Sequence, residues 1–153
     1  DEAVKMMLST APEAPDAKQM CYAEFETTKF WSTHEWLRYI RGLEAGGATV
    51  GHYALADENY GFSGSPNPEI VAAWFSAILR TDYEGYDRAV YKKTVEEFLV
   101  KVGRRKFIVP MYESMLNGDE KRQQWAREIY EKARPSYHPL SQGTLDALFA
   151  SNE

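Results

Sequence analysis

The chain has 153 residues, enough for one domain with a hydrophobic core, and 23 acidic side chains against 18 Lys and Arg give a formal net charge of −5. This negative balance argues against general nucleic-acid binding, and no run of about 18 apolar residues predicts a membrane span. The single cysteine, Cys21, excludes an internal disulfide and a cysteine zinc site, and we expect it to be a small core residue. These features leave the compartment open, with the cytoplasm slightly favoured.

The first 31 residues carry only weak signals of secondary structure. An apolar patch from Val4 to Leu8 lies ahead of two prolines, and we interpret residues 1–16 as a lead-in strand or linker. Residues 17–26 space their apolar side chains as a short helix would. We therefore place the start of the main helical domain at Ser32.

Capping signals mark the helices of the first half of this domain. Ser32 and Glu35 have the spacing of a capping box, in which each side chain accepts a hydrogen bond from a backbone N–H at the helix start. A second, short helix is predicted for residues 49–56, and a third after Asn67, which precedes a proline suited to the first helical turn. The apolar stripes predicted to face the core are Trp36, Leu37, Ile40 and Leu43 in the first helix, and Ile70, Val71, Trp74, Phe75, Ile78 and Leu79 in the third.

Three adjacent cations, Arg104, Arg105 and Lys106, form the only concentrated chemistry of the sequence. They follow a long helix predicted to end at Gly103, a residue suited to a left-handed helix stop, and they precede Pro110, which is acceptable at the first position of a new helix. The triplet is therefore predicted to lie in a short interhelix loop. Cations just beyond a helix C-terminus complement its dipole, so a solvated cap is one interpretation and an anion-binding clamp is the other.

The pattern as a whole predicts an all-α fold. No alternating strand pattern appears after residue 30, and amphipathic helices joined by short loops bury their apolar stripes best as stacked pairs. We therefore expect a two-layered helical solenoid, of the armadillo or HEAT kind, or a bundle. A capping box is predicted at Thr81 and Glu84, and a helix over residues 110–116 with a left-handed stop at Asn117-Gly118. A further helix is predicted from Asp119 to Ala133 with Trp125 facing inward. A turn over residues 137–140 and a terminal helix over residues 144–150 complete the predicted elements.

Motifs for catalysis or metal binding are weak. His34-Glu35 resembles the start of the zinc-protease motif H-E-x-x-H, but Arg38 stands where the second histidine is needed, and a cation cannot ligate zinc. His52 and His138 fall in different elements. No nucleophile elbow, phosphate loop or dinucleotide fingerprint occurs. The sequence therefore predicts no catalytic residue and no metal site in this chain.

Three segments stand in an order and spacing typical of one known family. They are a helix start, Asn67-Pro68-Glu69-Ile70 leading to Trp74, the basic segment Gly103-Arg104-Arg105-Lys106-Phe107-Ile108-Val109-Pro110, and the later turn Tyr137-His138-Pro139. The basic segment has the form G-R-x-K-F-x-x-P. Together the segments resemble the C-terminal domain of zinc aminopeptidases of the leukotriene A(4) hydrolase type, from about Ser32 to the end of the chain.

This resemblance implies a non-catalytic α-α superhelix over residues 32–153, with residues 1–31 as a lead-in from a preceding domain. The implied partner is a catalytic domain of the same polypeptide, which binds zinc and makes the whole protein a metallo-aminopeptidase, a peptide hydrolase. In the family the arginine and lysine of the basic motif bind the C-terminal carboxylate of the peptide substrate, and the matching positions are Arg104 and Lys106. Arg105 occupies the variable position, and the resemblance gives it no role.

A second function remains open from the residues alone: an independent helical-repeat interaction module whose basic loop binds an acidic partner. An H-E-x-x-H motif upstream in the reading frame would favour the aminopeptidase. Neither interpretation predicts a nucleic-acid or membrane partner. Peptide specificity, oligomeric state and any epoxide hydrolase activity are not determined by this sequence.

Overall fold

The computed structural model describes residues 2–14, 28–81 and 88–152. Every regular element in these ranges is a helix, which confirms the predicted all-α fold class. The chain divides into two compact units, an N-terminal unit, Asp1–Tyr86, and a C-terminal unit, Asp87–Glu153. The predicted helix over residues 17–26, the position of Cys21 and the Glu84 half of a capping box all lie outside the described residues.

The N-terminal unit contains four described α-helices, and two of them start at predicted capping signals. At the first of these signals the Ser32 N–H donates to Glu35 Oε2 over 2.7 Å, and the Glu35 N–H donates to Ser32 Oγ over 3.4 Å. At the second, the Glu69 N–H donates to Asn67 Oδ1 over 2.9 Å. The helices are α1 (Glu2–Ser9), α2 (Thr33–Ala45), α3 (Val50–Tyr60) and α4 (Pro68–Arg80), with a 3-10 turn at Phe62–Gly64.

Helix α1 corrects the prediction of a lead-in strand or linker. It packs against α2 and α3, and its side chains Ala3, Val4 and Met7 are buried. Two glycines, one in α2 and one directly after it, make the contact possible, since a Cβ at Gly42 would lie 2.7 Å from Val4 Cγ2. A Cβ at Gly46 would lie 2.2 Å from a methyl carbon of Leu8. The partner that makes this segment helical is thus distant in the sequence.

The core of the N-terminal unit is built from the predicted apolar stripes. Helix α4 packs on α2 and buries all six of its predicted residues, and Trp74 is fully inaccessible. Trp36, predicted to face inward, is only half-buried, whereas the adjacent Tyr39 is fully buried. Both rings contact Phe62, with centroids 5.2 and 6.2 Å away, and Phe62 in turn lies 4.5 Å from Trp74. This aromatic cluster joins α2 to α4 through the 3-10 turn.

The C-terminal unit carries the basic triplet. Helix α7 contacts both α5 and α6, and α8 contacts α6. The predicted inward residues of α7, including Trp125, are all buried, and Asp119 caps this helix by accepting from the Arg122 N–H over 2.9 Å. The helices are α5 (Arg88–Lys101), α6 (Arg105–Leu116), α7 (Glu120–Ala133) and α8 (Pro139–Ala150), with a 3-10 turn at Arg134–Ser136.

Four boundaries in this unit differ from the sequence prediction. Positive φ angles among the described residues occur at Gly47 and Gly61, so the left-handed stops predicted at Gly103 and Gly118 are wrong. Helix α8 begins at Pro139, so the turn predicted over residues 137–140 is shorter than expected. Pro110 lies inside α6 rather than at its start.

The proline costs α6 one backbone hydrogen bond, because Pro110 has no N–H to donate to the carbonyl four residues earlier. Burial offsets that cost, since α6 packs against both α7 and α8. The buried side chains of α6 include Phe107, Ile108, Met111, Tyr112, Met115 and Leu116.

Candidate functional site

The basic triplet forms the N-terminus of a helix. Helix α5 ends at Lys101 and α6 begins at Arg105, with Arg104 as its extended N-cap residue at φ −73° and ψ 116°. Arg105 and Lys106 are the first two residues of α6, and all three cations are exposed. The prediction that the triplet lies in an interhelix loop is therefore wrong for two of its three residues.

This position gives the triplet a definite electrostatic character. The first N–H groups of an α-helix have no intrahelical acceptor, and the helix dipole is positive at that end. Three cations at the same end add to this field. Within the described residues neither Arg104 nor Arg105 is paired with a carboxylate, so the region attracts anions.

One buried aromatic ring positions two of the cations. Phe107 is 7% exposed, and its ring lies 5.3 Å from Arg104 Cζ and 5.7 Å from Lys106 Nζ. Both distances are within the range of a cation–π interaction, in which a cation is attracted to the face of the ring. Arg104 and Lys106, for which the resemblance implies carboxylate binding, therefore both lie near the ring of Phe107.

The triplet lines an open depression of about 500 Å³ on the C-terminal unit. Arg105 Nη1 donates to Thr144 Oγ1 over 3.4 Å, and Thr144 Oγ1 donates to the Leu140 carbonyl over 3.0 Å. Thr144 belongs to α8 and is 39 positions from Arg105, so no local spacing could have predicted its place here. The lining residues are Arg104, Arg105, Lys106, Val109, Pro110 and Thr144.

Side chains from other parts of the C-terminal unit form hydrogen bonds at the three-residue link between α5 and α6. The Tyr137 hydroxyl donates its single hydrogen to the Leu99 carbonyl over 2.5 Å. In the second bond, to Tyr112 over 3.1 Å, Tyr137 must therefore accept and the Tyr112 hydroxyl donates. Ser141 Oγ donates to the Gly103 carbonyl over 3.3 Å. A tyrosine therefore satisfies a carbonyl in the last turn of α5, at a helix end where Gly103 does not have a positive φ.

Burial keeps these tyrosines neutral. It raises the pKa of Tyr137 to about 12, and it raises the pKa of Tyr112 well above its ordinary range. Both hydroxyls therefore remain hydrogen-bond donors throughout the physiological pH range. The sequence signal for this arrangement is the Tyr137-His138-Pro139 turn, whose tyrosine was noted only as part of a resemblance.

The histidines do not form a common site. The Thr49 N–H donates to His52 Nδ1 over 3.0 Å at the start of α3, and the Leu140 N–H donates to His138 Nδ1 over 3.2 Å at the start of α8. In the described ranges no three His, Cys, Asp or Glu side chains are grouped so that they could hold a metal ion. No helix in those ranges is long and apolar enough to cross a membrane.

Fold and site together define a helical domain with an anion-attracting helix N-terminus. The model of the family described as leukotriene A4 hydrolase, C-terminal, matches residues 31–149. The chain belongs to this family. The match includes the basic triplet, the Asn67 helix start and the Tyr137 turn, on which the resemblance depends.

The chain is also similar to several fungal proteins named leucine aminopeptidase 2. It is 35% identical over 81 residues to that of Yarrowia lipolytica, 34% over 92 residues to that of Neosartorya fischeri and 30% over 99 residues to that of Ajellomyces capsulatus. These matches cover 53%, 60% and 65% of this chain, but only 11%, 14% and 15% of the relatives. The chain therefore corresponds to a small part of much longer proteins.

Proposed function

We propose that this chain is the non-catalytic C-terminal helical domain of a zinc aminopeptidase, and that Arg104 and Lys106 bind the C-terminal carboxylate of its peptide substrate. The observation that carries this proposal is the position of both cations at the N-terminus of α6, over one phenylalanine ring and beside one open depression. The family membership and the names of the relatives support the peptidase part.

The chemistry of the three contributing groups suits a carboxylate. The guanidinium of Arg104 can donate two parallel N–H bonds to its two oxygens, and the ammonium of Lys106 adds a compact positive charge. The helix N-terminus contributes further positive potential. Holding the C-terminus of a short peptide at this point would fix the peptide's register relative to a catalytic domain of the same polypeptide.

The zinc and its ligands would lie in that catalytic domain. Two of the three histidines in this chain accept backbone hydrogen bonds at helix starts, and the third, His34, is exposed. The described residues offer no donor set for zinc, so no step of hydrolysis is assigned to them. Their part is to bind and orient the substrate.

The experiment compares a tripeptide as free acid and as C-terminal amide, using the full-length protein. Arg104→Ala is expected to lower kcat/KM for the free acid about 10- to 150-fold, because a charge-assisted contact is worth about 1.5–3 kcal/mol. Lys106→Ala should lower kcat/KM less, since the flexible ammonium group makes a less specifically oriented contact than the guanidinium. Lys121→Ala, which removes an exposed cation of α7, serves as the matched control.

The comparison with the amide peptide distinguishes a role of Arg104 in substrate binding from a structural role. The amide has no carboxylate, so its cleavage should be almost unchanged by Arg104→Ala. Equal losses for acid and amide would contradict the carboxylate site. An absence of hydrolysis of aminoacyl-p-nitroanilides by the zinc-loaded, full-length wild type would contradict the aminopeptidase and favour an interaction module.

A further inference from the structure

Arg105 is the third cation of the same depression, and the proposed carboxylate site does not use it. It is exposed at the first position of α6, between the two proposed carboxylate ligands. Its only partner among the described residues is the neutral Thr144 hydroxyl, at 3.4 Å. A guanidinium has five N–H donors, so most of those of Arg105 remain available to a ligand.

Arg105 adds a positive charge to the lining that the proposed site for the terminal carboxylate does not use. Arg104, Arg105 and Lys106 bring three positive charges to the lining, and the start of α6 adds to them. A peptide with neutral side chains brings one negative charge at its C-terminus. Complementary potentials favour the partner that supplies a second negative charge beside the first.

We infer that Arg105 binds a second carboxylate of the substrate, so that the preferred peptides end in Asp or Glu. Such a residue carries its side-chain carboxylate close to its C-terminal one, within reach of adjacent cations. Val109 and Pro110 supply an apolar wall against which the methylene groups of the side chain can pack. This inference depends on the proposed binding of the C-terminal carboxylate by Arg104 and Lys106.

The test uses the full-length protein and two tripeptides that differ only at the last residue, Glu or Gln, both as free acids. Wild type is expected to cleave the Glu peptide with a kcat/KM about fivefold higher, mostly through KM, because a solvent-exposed ion pair is worth up to about 1 kcal/mol. Arg105→Gln should abolish this preference, so that kcat/KM falls more for the Glu peptide than for the Gln peptide and the ratio of the two approaches one. Arg105→Lys should keep part of it, and Lys121→Gln should keep all of it.

The outcomes separate this inference from the proposal on which it depends. Equal cleavage of the Glu and Gln peptides by wild type, or an unchanged ratio in Arg105→Gln, would overturn the role of Arg105. The Gln peptide is also assayed as its C-terminal amide, which reports on Arg104 and Lys106 alone. If acid and amide of that peptide are cleaved equally by wild type, the carboxylate site itself is wrong and the inference fails with it.

Discussion

The Tyr137 hydroxyl connects α5 and α6 to the segment between α7 and α8, so Tyr137→Phe tests what holds the start of α6 in place. Tyr137 follows α7 in sequence and is 3% exposed, and its hydroxyl donates to the Leu99 carbonyl of α5 and accepts from Tyr112 of α6. Leu99 lies in the last turn of α5, where backbone carbonyls lack intrahelical partners. Removing one oxygen atom therefore affects two buried groups.

Tyr137→Phe and Tyr112→Phe should lower the free energy of unfolding by different amounts. Tyr137→Phe leaves both the Leu99 carbonyl and the buried Tyr112 hydroxyl without their partner, and each such group costs about 1–3 kcal/mol, so we expect a loss of about 2–6 kcal/mol in the free energy of unfolding. Tyr112→Phe leaves the bond from Tyr137 to Leu99 intact. It should cost only about 0.5–1.5 kcal/mol, the net value of one ordinary hydrogen bond.

Urea unfolding of the 153-residue chain measures both values, and hydrogen exchange of the amides in α5 and α6 reports on the C-terminal unit by itself. The double variant should be no less stable than Tyr137→Phe, because it also removes the stranded Tyr112 hydroxyl. Equal midpoints for the two single variants would refute the reasoning. So would a Tyr137→Phe protein whose α5 and α6 amides exchange as slowly as in wild type.

The remaining predictions concern the N-terminal core and an ion pair of the C-terminal unit. Trp74→Ala should destabilise the chain by about 3–5 kcal/mol, because the indole is fully buried; an unchanged urea midpoint would contradict this. Hydrogen bonds from Arg134 and then Tyr130 lower the pKa of Asp146 to about 2 from 3.8. Because the folded-state pKa is the lower one, this stabilisation is present above about pH 4 and is lost as the pH falls towards 2. Asp146→Asn should flatten that dependence, and a carboxyl titrating near pH 4 by NMR would contradict it.

Local motifs allowed the sequence to predict the starts of α2, α4 and α7. The capping partners Ser32 and Glu35 are three positions apart, and Asn67 and Asp119 accept from backbone N–H groups two and three positions later. Both members of each interaction are therefore visible in a short window of sequence. The fold class followed from these starts together with the apolar spacing between them.

Features that depend on distant residues could not be predicted in this way. Helix α1 is helical in a segment whose packing partners, Gly42 and Gly46, lie in another element. The stop at Gly103 was expected from glycine's tolerance of positive φ, whereas Tyr137 satisfies the neighbouring carbonyl by a bond across 38 positions. Thr144 likewise contacts Arg105 of the candidate site from 39 positions away in the sequence. The sequence indicates the basic triplet itself, but it does not predict the position of the triplet at the start of a helix.

Helix α6 begins without the side chains that stabilise other helix starts in this chain. Helices α2 and α7 have side-chain caps, at Ser32 and Asp119, and an acidic residue in the first turn, whereas α6 has neither. A cation at a helix N-terminus opposes the dipole by about 0.3–1 kcal/mol, so Arg105 and Lys106 lower the stability of α6. A solvated cap does not account for cations in this position. The proposed anionic ligand would account for them, because a carboxylate bound there would neutralise the cations and the helix dipole together.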